Sequence, residues 1–337
     1  MPSATAYGDA GAVHTNSLDG RSSIVASVLA LMLCPMSACV PADVDTNKTA
    51  PITEAGHGGA GRAGSGGMAA SVAGAAGLPL DPTPKPSCLD GLTSEGAGTF
   101  QFEAKVSGVT KLWAPKVPSG CKVPVIHFAN GTGAACNNYQ GVLEHLAKHG
   151  FLATCYENTA TGNGMAGLTA LQAAFQVYPD LADNKVGSAG HGQGGQGALI
   201  TLLHAEREWG DGMRYAGLAV APESGSGSQV PGDSWQEAYA AIKAPMFMFS
   251  GTADQLVSES WVGQAFDAMS DDVETYWYAA IDATHIPVPV AEIKQISIPW
   301  FRWQLLGDRT ACELFKRLPA GERWELRKEQ SSRPCDG

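Results

Sequence analysis

Charge is scarce in this sequence. Asp, Glu, Lys and Arg make up 16% of its 337 residues, and 22 basic side chains face 33 acidic ones for a net charge of −11. No basic run interleaved with aromatics occurs, so no nucleic-acid partner is expected. No cysteine pair has the spacing of a zinc site. In EHLAKH, Leu146 follows His145 where a zinc-protease helix needs glutamate, so His145 and His149 read as a solvated helix face and no metal is expected. The N-terminal apolar run, residues 24–33 (IVASVLALML), falls short of the roughly 20 residues that span a bilayer. The absence that matters most is of one serine. In KVGSAGHGQGGQGALI, residues 185–200, glycine stands where a G-x-S-x-G turn carries its hydroxyl.

The short apolar run, preceded by Arg21, has the length of a signal-peptide core. Residues 36–39 (MSAC) resemble a bacterial lipobox, with Met36 in the usual leucine place and Cys39 as the acylated residue. The competing reading is an ordinary secretory signal cut after Ala42. Residues 40–85 are rich in Gly, Ala and Pro and hold almost no large apolar groups, as in a flexible tether. The expected organisation is therefore a signal and lipobox at 1–39, a linker at 40–85, a folded domain at 86–315 and a C-terminal extension at 316–337. Exported, lipid-anchored placement at a bacterial envelope follows from that layout. The membrane would be touched only through the anchor.

From residue 99 strands and helices alternate. TFQFEAKV alternates apolar and polar residues as a half-exposed strand does. VPVIHFA (123–129), FLATCY (151–156), KVGSAG (185–190), YAGLAVA (215–221) and PMFMFSG (245–251) read as buried strands, and VETYWYAAI (273–281) as the last one. Helices are expected at YQGVLEHLAKHG, 168–177, GALITLLHAERE, ESWVGQAFDAM and IPWFRWQLLGD, the last with Pro299 at its start. About 220 residues of alternation indicate an α/β fold, a doubly wound and mostly parallel sheet with helices on both faces. Function in such sheets lies at the carboxyl ends of the strands. Asn130 to Gly133, Gly190 to Gly195, Pro222, Glu223, Asp254 and His285 fall there.

Asp254 and His285 follow successive strands, in the order acid then histidine downstream of the glycine turn, as in a hydrolytic triad. The carboxylate would hold the imidazole tautomer and stabilise its protonated form. Singly, each residue has an ordinary alternative, a turn or cap aspartate and a structural histidine. A nucleophile elbow needs small neighbours, which Gly190, Gly194 and Gly195 provide. Gly192 occupies its apex. The Gln193 and Thr132 amides are the candidate oxyanion donors, and Ser188 lies too far back in the strand to replace the missing hydroxyl.

The stretch VIHFANGTGAACNNYQGVLEHLAKHGFLATCYENT, the G-H-x-Q-G-G turn, MFSGTADQLV, ATH and PWFRWQLLGD together resemble an α/β-hydrolase of the polyester-hydrolase (cutinase-like), chlorophyllase-like group. The resemblance covers about residues 95–315. It implies the α/β-hydrolase fold, with the nucleophile position at Gly192, the acid at Asp254 and the base at His285. It also implies oxyanion amides at Thr132 and Gln193, a substrate-facing aromatic at His191, and no cofactor. Of the eight cysteines, six follow the signal region and allow 15 pairings. By proximity in such a fold the expected bridges are Cys88–Cys121, Cys136–Cys155 and Cys312–Cys335.

The resulting expectation is a domain of carboxylic-ester-hydrolase descent whose turnover is very low or absent as the chain stands. Its ligand would be a small or polymeric ester. The alternative is a non-catalytic protein that holds an ester, acyl or glycan-like ligand in the same cleft. Gly192, Gly194 and Gly197 also spell the dinucleotide pattern G-x-G-x-x-G, with Glu206 or Glu208 as ribose ligands, but those acids lie inside the following helix rather than at a strand end. Trp300, Phe301 and Trp303 read as helix packing rather than a ligand cage.

Overall fold

A computed structural model describes residues 88–89, 94–223, 234–285, 290–320 and 323–335. The signal and lipobox segment with Cys39, and the linker at 40–85, lie outside the described residues. Strands β1 (Phe102–Ser107), β2 (Thr110–Pro115), β3 (Val123–Ala129), β4 (Leu152–Tyr156), β5 (Ala182–His191), β6 (Arg214–Val220), β7 (Met246–Gly251), β8 (Thr275–Ala280) and β9 (Trp324–Gln330) form one sheet. Among the described residues its order is β1-β2-β4-β3-β5-β6-β7-β8-β9. The six strands from β4 to β8 in that order are mutually parallel, while β2 meets β4 and β9 meets β8 antiparallel. This is the expected α/β class.

Three inner strands are buried along their whole length because helices cover both faces. All residues of β3, β7 and β8 are buried, as the continuous apolar runs require. Side chains alternate across the sheet. On one face Val123 and Val125 join Leu168, Leu171, Leu199, Leu202, Tyr239 and Phe266. These come from α2 (Met165–Val177), α3 (Gln193–Trp209), α4 (Trp235–Ala240) and α5 (Glu259–Asp267). On the other, Ile126 and Phe128 join Val142, Leu146, Ile293, Trp300 and Phe315. Those belong to α1 (Gln140–Lys148), α6 (Val290–Leu306) and α7 (Arg309–Arg317). Trp300 and Trp303 stack edge to face at 5.7 Å within this second core, so they are packing residues.

Three features depart from the sequence reading. The sheet does not end at β8: within the segment expected as a tied-down extension, β9 adds an antiparallel edge strand. Its middle is exposed and carries Arg327 and Lys328, charges that suit an edge. Pro299 lies inside α6 rather than at its start. The helix runs on through it, forfeiting the one backbone bond its missing N–H would have made. Strand β2 and helices α4 and α7 were not anticipated.

All three expected disulfides are present. Cys88–Cys121, Cys136–Cys155 and Cys312–Cys335 have Cα separations of 5.6, 5.9 and 5.6 Å. The second fastens the single turn Cys136–Tyr139, just after β3, to the end of β4.

Candidate active site

The turn from β5 into α3 is shaped by backbone crowding. A Cβ on Gly190 would stand 1.9 Å from the Gly194 carbonyl oxygen, and one on Gly194 would stand 2.1 Å from that of Ala129. On Gly195 it would meet the Val220 oxygen at 2.7 Å, and on Gly197 the Thr161 oxygen at 2.3 Å. These four glycines are sterically required. Gly192 is different. Among the described residues, a Cβ there would meet only the His285 ring, at 3.1 Å from Nε2 and 3.4 Å from Cε1. Its backbone is at φ +59°, ψ −124°, a conformation that strains any other residue. The Gly192 amide donates to Val220 O at 2.9 Å, and its carbonyl accepts from the Gly195 and Gln196 amides. The elbow is therefore locked without help from a side chain.

Asp254 and His285 meet because the loops after β7 and β8 are stitched together. Thr252 N donates to Ala280 O and Ala253 N to Ala283 O, both at 3.0 Å, while Asp282 N donates to the Thr252 hydroxyl at 2.8 Å. His285 Nδ1 then lies 2.8 Å from Asp254 Oδ2. The other carboxylate oxygen accepts from the Leu256 and Val257 amides, each at 2.9 Å. Burial alone would raise the Asp254 carboxyl, but the His285 bond and those two amides outweigh it and hold it below its ordinary value. An ionised Asp254 accepts a hydrogen bond from the Nδ1–H of His285, which keeps the proton on Nδ1 and leaves Nε2 as the acceptor, facing Gly192.

The turn after β3 completes the site. Its closing bond runs from Ala134 N to Gly131 O and leaves the Thr132 amide outside it. Gln193 is the first residue of α3, so its amide is one of the unpaired donors at a helix N-terminus. Its side chain points elsewhere, accepting from Thr161 N at 3.1 Å. Tyr139, which the sequence did not mark, joins the turn to the elbow. Its hydroxyl lies 3.2 Å from Gly131 N and 3.0 Å from His191 Nδ1.

His191 is 3% exposed and stacks on His285 with ring centroids 4.4 Å apart. It packs against the His285 ring rather than facing open space. Burial and the neighbouring His285 push its pKa down to about 3, so it stays neutral and does not compete as a base. Gly192, Asp254, His285, Gln193 and His191 are thus gathered at the carboxyl ends of β5, β7 and β8, with Thr132 in the turn after β3.

Glu223 is the second residue that sequence reasoning left unassigned. Ala221, at φ +45°, turns the chain out of β6, and Pro222 packs against Gly195. The half-buried Glu223 carboxyl is raised by desolvation and drawn back by His285, which places both in one electrostatic neighbourhood. Ser188, by contrast, is fully buried beside His127 in the β3–β5 ladder and reaches nothing in the cleft. Glu206 is committed to the Lys243 and Ala244 amides near the far end of α3, so the dinucleotide reading loses one of its two candidate ribose ligands. The chain matches no family model and no curated protein.

Proposed function

We propose that this domain has the α/β-hydrolase fold and descends from carboxylic-ester hydrolases, keeping the acid, the base and the oxyanion frame around a glycine. One observation carries the reading: a Cβ at the elbow apex would lie 3.1 Å from the Nε2 of a histidine whose Nδ1 is held by a buried aspartate. A serine there would bring its hydroxyl into reach of the base with only a small yield of the His285 loop. The strand–turn–helix context of the elbow, the donor turn after β3, and the chain order of apex, acid and histidine support it further. With the hydroxyl absent, the acyl-enzyme route is closed, and a loss of about 10⁶ in turnover is expected relative to an intact triad.

The substrate class is a carboxylic ester, and no cofactor takes part. Export and lipid anchoring rest on residues 24–39 and belong to the same proposal. The test is hydrolysis of p-nitrophenyl acetate and butyrate by the purified protein beside Gly192→Ser. A gain of several orders of magnitude in the variant supports the reading. If Gly192→Ser stays silent although folded, the cleft does not hold ester chemistry, and a non-catalytic ligand-binding protein becomes the better description.

A further inference from the structure

We propose that the protein hydrolyses activated esters directly, with a water molecule at Gly192 as nucleophile and His285 as its general base, and with no covalent intermediate. This rests on the hydrolase reading above and assigns a mechanism to the glycine form itself. The geometry has three parts. First, among the described residues Gly192 is the one elbow glycine whose side-chain direction meets no backbone, only the imidazole. The hydroxymethyl group that a serine would add is about the size of one water, roughly 30 Å³ in the liquid. Second, Asp254 fixes the His285 tautomer so that the Nε2 lone pair faces that space, and the His285 side chain is 12% exposed, open enough for solvent to arrive. Third, the elbow keeps its shape through Gly192 backbone bonds, so the Gln193 amide stays at the N-terminus of α3 beside Gly192.

The step balances with water as the only co-reactant. His285 Nε2 takes one proton as the water oxygen bonds to the ester carbonyl carbon, and the oxyanion is held by the Thr132 and Gln193 amides. The carbon–oxygen bond to the alcohol then breaks, and the departing oxygen takes the proton back from Nε2. The acid product leaves with the oxygen that came from water. General-base help of this kind is worth about 10²–10⁴ in rate. The route favours aryl esters, whose leaving oxygen needs little protonation.

A competing expectation sharpens the test. In serine hydrolases stripped of the nucleophile, removing the histidine as well costs little more, because the residual rate comes from the oxyanion hole and binding. The experiment compares p-nitrophenyl acetate hydrolysis by the full chain, His285→Gln, Asp254→Asn and Gly192→Ser, with folding of each checked by circular dichroism. Expected are a slow steady rate without a burst for the parent, and a fall of about 10² or more for His285→Gln and Asp254→Asn. Gly192→Ser should show a burst and an acetyl adduct by intact mass, and the parent neither. If Gly192→Ser is active while the parent is no faster than His285→Gln, the water route is wrong and the hydrolase reading stands. An acetyl adduct on the parent overturns the inference by revealing another nucleophile. A folded but silent Gly192→Ser removes the reading on which it rests.

Discussion

Alanine placed in turn at Gly192, Gly190 and Gly194 separates the chemistry of the elbow from its construction. At Gly192 the cost has two sources. A φ of +59° with ψ −124° penalises a side chain by about 1–3 kcal/mol. The contact of 3.1 Å with His285 Nε2 asks an imidazole on a loop to shift by a few tenths of an ångström. At Gly190 and Gly194 the new methyl would instead stand 1.9 and 2.1 Å from carbonyl oxygens of a neighbouring helix and strand. Neither can move without opening the β3–β5 ladder or the start of α3, so the cost exceeds the ordinary overpacking range of about 1–3 kcal/mol. For a domain of this size 1 kcal/mol shifts Tm by about 2–4 °C. Gly192→Ala should therefore melt cooperatively about 2–12 °C below the parent. Gly190→Ala and Gly194→Ala should melt lower still or fail to fold. Thermal melts followed by near-ultraviolet circular dichroism decide it. Equal losses at Gly192 and Gly194, or a Gly194→Ala protein within about 1 kcal/mol of the parent by urea titration, would refute the steric account of the turn.

Three other outcomes are expected. His127 and His191 are each pushed by burial from 6.5 down to about 3, so the unfolded chain binds their protons first and stability falls as pH drops through 6.5. Between pH 7.5 and 5.5 the loss is about 1.4 kcal/mol for each, roughly 3 together, and a Tm that is flat over that range contradicts it. Tyr139→Phe removes the hydroxyl shared by Gly131 N and His191 Nδ1 and should cost about 1–3 kcal/mol, measured by urea denaturation; a change below 0.5 kcal/mol, roughly the scatter of surface substitutions, would speak against the brace. Loss of the Cys136–Cys155 bridge, which closes a separation of 19 residues, should cost about 3 kcal/mol and lower kcat of the Gly192→Ser form. An unchanged kcat would mean that the donor turn is held by other contacts.

The strand bounds most legible in the sequence are those of strands buried on both sides. VPVIHFA matches β3 to the residue, because a strand covered by helices on both faces has no polar positions to blur its ends. β9, with the sequence WELRKEQ, is exposed along its middle and carries no periodic signal. Only its pairing with β8 makes it a strand. Pro299 misled for a related reason: local chemistry favours a helix start, whereas the buried Ile293, Ile296 and Ile298 extend α6 a further two turns upstream. At the site, Gly192, Asp254 and His285 were legible because chain order and strand ends encode them. Glu223 was legible only as a strand-end residue without a role, and Tyr139 not at all, since a tyrosine in a single turn meets the elbow only when the β3 and β5 ends are brought side by side.

Asp254 and His285 do not weigh equally as evidence for the proposed chemistry. Asp254 has structural work of its own: one carboxylate oxygen accepts the Leu256 and Val257 amides and so closes the turn that leads into α5. An aspartate would be favoured there even in a protein with no reaction to perform, since local bonds of this kind are what place Asp at turns. His285 has no comparable duty among the described residues. Its bond to Asp254 and its stack on His191 both close within the site, and for packing alone an apolar ring would serve without the need for a partner to its ring nitrogens. What asks for imidazole at this position is a lone pair held toward Gly192, with the opposite nitrogen pinned by a carboxylate. That arrangement has a use only if something at Gly192 has a proton to give. The case for the proposed chemistry therefore rests on His285, and its removal in the glycine background is more informative than any change at Asp254.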